Sequence, residues 1–144
     1  MRVLLSFGIS LLLFGCQAQQ EPANAVEQTS AGVVKAQQVN PFADLNAEQA
    51  QKLIADGELV VLDVRTDREY QSGHIENAQH IDFYGQDFKS KLAELPKDKK
   101  YLVYCASGNR SGQAVTMMKE LKFEEAHNMS GGIGAWSSKY KTVR

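Results

Sequence analysis

Three observations place this chain in the α/β class, as an α/β sandwich with a mainly parallel central sheet flanked by helices. Short, continuously apolar runs, Leu59 to Leu62 and Tyr101 to Cys105, read as strands buried on both faces, the signature of a parallel sheet. Amphipathic segments with helix start and stop signals separate those runs. The strict alternation of the two kinds of segment then predicts crossover connections rather than hairpins. With 144 residues, 43% of them hydrophobic and 23% charged, the chain has material for one globular domain with a real core.

"LNAEQAQKLIADG" opens with Asn46 as N-cap and Gln49 completing a capping box. Ala50, Leu53 and Ile54 share one helical face, and Gly57 serves as the residue just past the helix end. The strand "ELVVLDV" follows. "TDREYQSGHI" starts a helix at Thr66 or Asp67 and stops it at Gly73. Ala78 to Ile81 forms a brief strand. "GQDFKSKLAELP" is a helix with Phe88, Leu92 and Leu95 on one face and Pro96 beyond its end. After the solvated turn "KDKK" comes the strand "YLVYC". The next helix is "SGQAVTMMKELKF", with Ala114, Met117, Met118 and Leu121 inward. A last short strand lies near Ala126 to Met129, before a Gly-rich turn and a closing helix.

The N-terminus reads differently. Met1 and Arg2 precede an uncharged apolar run, Val3 to Gly15, too short for the roughly 20 residues of a spanning helix. It reads as a secretory signal. Leu13-Phe14-Gly15-Cys16 closes the run as a bacterial lipobox does, which makes Cys16 the lipidated N-terminus of the mature chain. Residues 1–15 are thus a lipoprotein signal peptide. Residues 16–40 are rich in Gln and Ala, lack aromatic residues and read as a flexible tether; residues 41–144 form the domain. The expected location is the periplasm, lipid-anchored to a membrane. Gln17 stands where an aspartate would retain the protein in the inner membrane, which favours the outer one. The net charge of −1 points to no nucleic-acid partner. The scattered His and Cys residues offer no structural zinc site.

Cys105 is then the sole cysteine of the domain, in an exported setting that favours disulfides. It ends a strand, where α/β folds place their ligand sites. Ala106, Ser107, Gly108, Asn109, Arg110 and Ser111 carry the chain from it into the next helix. Little side-chain bulk and a glycine allow a tight curl that turns successive N–H groups to one centre. Together with the helix N-terminus, such a nest stabilises a thiolate and lowers the cysteine pKa from its usual ~8.5. Arg110 adds a planar cationic fork for an anionic substrate. Asp63, at the end of its own strand, falls on the same edge; it and Arg65 read as structural support for the loop. His74 reads as a hydrogen-bonded structural residue and Trp136 as a core anchor, while His80 and His127 carry no ligand spacing. Gly131, Gly132 and Gly134 form a turn and are weak evidence for phosphate binding.

"CASGNRS", "LDVRTDREYQSGHIENAQHI" and "NMSGGIGAW" together resemble, in order, the motifs of the rhodanese-like sulfurtransferases in their single-domain form. The resemblance covers nearly all of residues 41–140. Family members often carry Pro or Gly where this chain has Glu76 and Asn77, a difference expected to be neutral. The resemblance implies a thiosulfate sulfurtransferase without metal or organic cofactor. Cys105 would take a sulfane sulfur from thiosulfate or a similar anionic donor and pass it, as a persulfide, to a thiol or cyanide. Arg110 would help dock the donor's oxygens. Two alternatives remain on the same scaffold: a non-catalytic rhodanese-like binding module, and a small-anion phosphatase or arsenate reductase. Protein tyrosine phosphatases place five residues between Cys and Arg; here four separate Cys105 from Arg110, a smaller ring that suits a sulfur atom better than a phosphate.

Overall fold

The computed structural model describes residues 40–144. The apolar N-terminal run, Cys16 and nearly all of the Gln/Ala-rich segment lie outside the described residues. The elements are β1 (Asp44–Leu45), α1 (Ala47–Ala55), β2 (Leu59–Asp63), α2 (Asp67–Ser72), β3 (Gln79–His80), α3 (Phe88–Glu94), β4 (Lys100–Tyr104), α4 (Asn109–Glu120), β5 (Glu125–Met129) and α5 (Gly132–Ser137).

The five strands form one sheet in the order β1-β5-β4-β2-β3, every pair parallel. The continuous apolar run of β4 follows from its central place, because strand side chains alternate faces and both faces here are covered. Tyr101, Val103 and Cys105 join Phe88 and Leu92 of α3 and Ala114, Val115 and Met118 of α4 in one buried layer. Leu102 and Tyr104 face the other way, into a second layer with Ala50 of α1 and Trp136 of α5.

Local signals set the helix starts. Asn46 and Gln49 exchange the two bonds of a capping box, each 2.9 Å. Thr66 and Glu69 form another, which fixes Thr66 as the N-cap of α2. Two features differ from the sequence reading. β1 is a two-residue edge strand, too short to show any period, and is held by main-chain pairing of Asp44 and Leu45 with Asn128 and Met129. α4 begins at Asn109 rather than Ser111, since Gly108 at φ 99° turns the chain into the helix at once. That puts Arg110 in the first helical turn.

From β2 the chain runs to β3 on one side, then crosses to β4 on the other. The order therefore reverses between β2 and β4, and ligands in open α/β sheets bind at the carboxyl ends beside such a switch. Asp63 ends β2 there, and Cys105 immediately follows β4.

Candidate active site

Cys105 is only 1% exposed, and its sulfur faces the following loop. The Gly108 N–H donates to Sγ at 3.1 Å, and Ser111 Oγ lies 3.5 Å away. The main-chain N–H groups of Ser107 and Ser111 act on the sulfur in the same sense. Burial pushes the thiol pKa up, but the Ser111 hydroxyl and these N–H groups outweigh it, and the thiol ends below its ordinary value. The positive end of the 12-residue α4 acts in the same sense.

The loop is held from behind. The Ile133 N–H donates to the Cys105 carbonyl at 2.8 Å, Gly131 to Ser107 at 3.1 Å and Gly134 to Ala106 at 3.3 Å. In a trans peptide the C=O and the next N–H point opposite ways. Tying the Ala106 and Ser107 carbonyls outward therefore aims the N–H groups of Ser107 and Gly108 inward, at the sulfur. Only glycine fits at 132, where φ is +55° and a Cβ would stand 2.3 Å from the Cys105 carbonyl oxygen. The glycine turn that gave weak evidence for phosphate binding thus acts on the cysteine loop.

Arg110, in the first turn of α4, has its guanidinium already engaged. Nη1 and Nη2 donate to the Glu69 carboxylate at 2.9 and 2.7 Å, and the Tyr84 ring lies 5.5 Å from its central carbon. This bidentate pair, with the Thr66 bonds adding to it and burial opposing, holds the Glu69 pKa at about 2 and pushes that of Arg110 up. Glu69 escapes a sequence reading because its partner Arg110 lies 41 residues away in the chain. Tyr84, 70% exposed, flanks the Arg110 guanidinium.

The remaining predicted residues divide into the loop and its supports. Ala106 and Asn109 are exposed, and the Asn109 side chain accepts from Gln113 within α4. Asp63 and Arg65 form a fully buried ion pair at 2.6 Å. Asp63 also accepts from the Arg65 main-chain N–H at 2.8 Å, and Arg65 reaches the Gly73 carbonyl at 2.7 Å. The pair thus joins the end of β2 to the end of α2 without touching the sulfur. His80 donates to the Arg65 carbonyl at 2.8 Å and His74 to the Tyr70 carbonyl at 3.2 Å. His127 is tied to Glu125 at 2.8 Å, and Trp136 donates to the Lys141 carbonyl at 3.1 Å. Two residues that the sequence did not mark lie behind Ser111. Its Oγ is 2.6 Å from Asn128 Oδ1, and Asn128 Nδ2 donates to Asp44 at 2.6 Å.

Residues 46–139 match the model of the rhodanese-like domain family. The putative sulfurtransferase YtwF of Bacillus subtilis (strain 168) is 38% identical over 91 residues, 63% of this chain and 85% of that protein. The thiosulfate sulfurtransferase GlpE of Pseudomonas entomophila (strain L48) is 33% identical over 102 residues, 71% of this chain and 91% of that protein. Similar tRNA uridine(34) hydroxylases match over only 25–28% of their own length. The crystal structure of a rhodanese-related protein from Thermoplasma volcanium superposes with a TM-score of 0.62 at 34% identity, over 70% of this chain and 97% of that one. A sheet of parallel strands that sets a cysteine loop on its carboxyl edge, matched by both sequence and structure, shows that the chain belongs to the rhodanese-like domain family.

Proposed function

We propose that the chain is a sulfurtransferase that carries a sulfane sulfur on Cys105. The observation that carries this reading is the ring of loop N–H groups turned toward one sulfur by their tied carbonyls, with Gly108 donating to it at 3.1 Å. Such a ring favours the thiolate at rest and a terminal persulfide sulfur afterwards, since both are anions. The Cys105 thiolate attacks the outer sulfur of thiosulfate; a new S–S bond forms, the donor's S–S bond breaks, and sulfite leaves with the electron pair. A second thiolate, or cyanide, attacks the outer sulfur of the persulfide. Cys105 departs as thiolate, ready for another donor. No separate base is invoked, because the lowered thiol pKa enlarges the thiolate fraction. Because Glu69 holds both terminal nitrogens of Arg110, docking of the donor's oxygens falls first to the loop N–H groups. The relatives named as sulfurtransferases support the reaction class, and GlpE supports thiosulfate as the first donor to try.

We place this activity at a membrane surface outside the cytoplasm, on the strength of the N-terminal apolar run and Cys16. Palmitate labelling of the expressed chain, lost in Cys16→Ser, is the expected result.

Mass spectrometry after incubation with thiosulfate tests the chemistry directly. The expected result is a gain of one sulfur atom on the peptide containing Cys105, removed by cyanide and absent from Cys105→Ser, which keeps its fold. Uptake of no sulfur at millimolar donor would favour a binding module. Hydrolysis of an aryl phosphate would favour the phosphatase reading.

A further inference from the structure

We infer that Asp44 and Asn128 are positioning residues for the Cys105 thiol. By fixing the orientation of one side-chain amide, they decide where the single proton of the Ser111 hydroxyl goes, and so restrain ionisation of the thiol. This rests on the reading of Cys105 as the sulfur carrier and adds residues that reading does not use.

The geometry leaves one arrangement of donors. Asp44 as a carboxylate only accepts, so the Asn128 atom 2.6 Å from it is the NH2 group. The Asn128 carbonyl oxygen is thereby turned to Ser111, at 2.6 Å, where it needs a donor. Ser111 is fully buried and has one proton to give. The Ser111 hydroxyl lowers the thiol pKa only while its one proton points at Sγ, 3.5 Å away; given to Asn128, that proton leaves the lone pairs toward the sulfur instead. This suits a thiol, whose S–H then donates to Ser111. It does not suit a thiolate, which wants the hydroxyl proton for itself. To supply it, Ser111 rotates and abandons a buried oxygen that no other described donor serves, a penalised state. Asp44 and Asn128 therefore oppose the loop N–H groups, and a persulfide, whose charge sits one atom further out, escapes that opposition.

The charged groups near the thiol from other elements are Arg110 on α4, neutralised by Glu69 on α2, and the Asp63–Arg65 pair at the end of β2. The Tyr84 phenol stands beyond Arg110. None of these changes in the isosteric variant Asp44→Asn. There the residue at 44 can donate, the Asn128 amide can turn over, and Ser111 is free to point at the sulfur.

The test is the pH profile of Cys105 alkylation by iodoacetamide in the full chain, followed by mass spectrometry of the Cys105 peptide so that Cys16 does not contribute. In Asp44→Asn the midpoint is expected to fall by about one unit, a roughly tenfold larger thiolate fraction on the acid side of the profile. Asp44→Ala, which removes the acceptor altogether, is expected to move it in the same direction. Mere loosening of the site would move it the opposite way, toward the value of an unperturbed cysteine. In the Ser111→Ala background the effect of Asp44→Asn should vanish. A midpoint unchanged or raised overturns the inference. So does an equal fall without Ser111, which would report only the loss of a negative charge. Persulfide uptake is scored separately: the expected shift in a chain that takes up no sulfur would sink the sulfurtransferase reading and leave the relay standing.

Discussion

Gly132→Ala tests how the loop is held. The added methyl would lie 2.3 Å from the Cys105 carbonyl oxygen and 2.5 and 2.6 Å from the carbonyl carbon and oxygen of Ala106. All three are main-chain atoms, so no side chain can swing away. Restoring even a 3.0 Å separation from the nearest requires a displacement of about 0.7 Å (3.0 minus 2.3), shared between the loop and the start of α5. Overpacking of this kind costs about 1–3 kcal/mol. The positive φ adds about 1–2 kcal/mol for any residue with a Cβ. In a domain of this size the sum lowers Tm by roughly 10 °C or more. The same displacement rotates the peptides whose N–H groups serve the sulfur, so the Cys105 pKa should rise and kcat/KM for sulfur transfer should fall about 10- to 100-fold. Gly134→Ala is the internal control. Its Cβ would meet the Ala106 carbonyl at an ordinary 3.5 Å, and a helical alanine is favoured over glycine. Thermal unfolding and alkylation profiles of both variants decide the matter. Equal behaviour of the two, or a Gly132→Ala protein with wild-type Tm and thiol pKa, would refute the claim that α5 aims the loop.

Two further outcomes follow from the charged pairs. The Glu69 pKa lies near 2 in the folded chain against an ordinary 4.5, so its contribution to stability is present above about pH 4.5 and is lost as pH falls toward 2. Glu69→Gln should therefore flatten the acid limb of the stability profile in that window, with a loss at neutral pH of about 1 kcal/mol once solvent screening at this partly open pair is allowed for; urea unfolding between pH 2 and 7 measures it. Arg65→Met leaves the Asp63 carboxylate buried without its partner, and should cost about 3–5 kcal/mol in urea unfolding, far more than the exposed Lys52–Asp56 pair when Lys52 is replaced by Met. Similar losses in the two would show that the Asp63–Arg65 pair does not hold β2 to α2.

Much of the molecule could be read before folding because its information is local. The buried character of β2 and β4, the capping box at Asn46, the helix start at Thr66 or Asp67, and the small residues between Cys105 and Ser111 each depend on near neighbours in the chain. So does the placing of a cysteine at a strand end, which parallel topology converts into a position on the binding edge. What periodicity cannot report is which distant side chain meets which. Glu69 reaches Arg110 across two strands and a helix, Asp44 meets Asn128 only because β1 pairs with β5, and the carbonyls of the cysteine loop find their donors in α5. β1 itself shows no pattern, since two residues paired through their main chain leave no trace in side-chain chemistry. The sequence alone determined that a cysteine followed by a loop of small residues would sit at the carboxyl edge of a parallel sheet. Only the tertiary structure decided what surrounds it, because the directions of N–H groups and the sharing of a single hydroxyl proton depend on contacts between segments far apart in the chain.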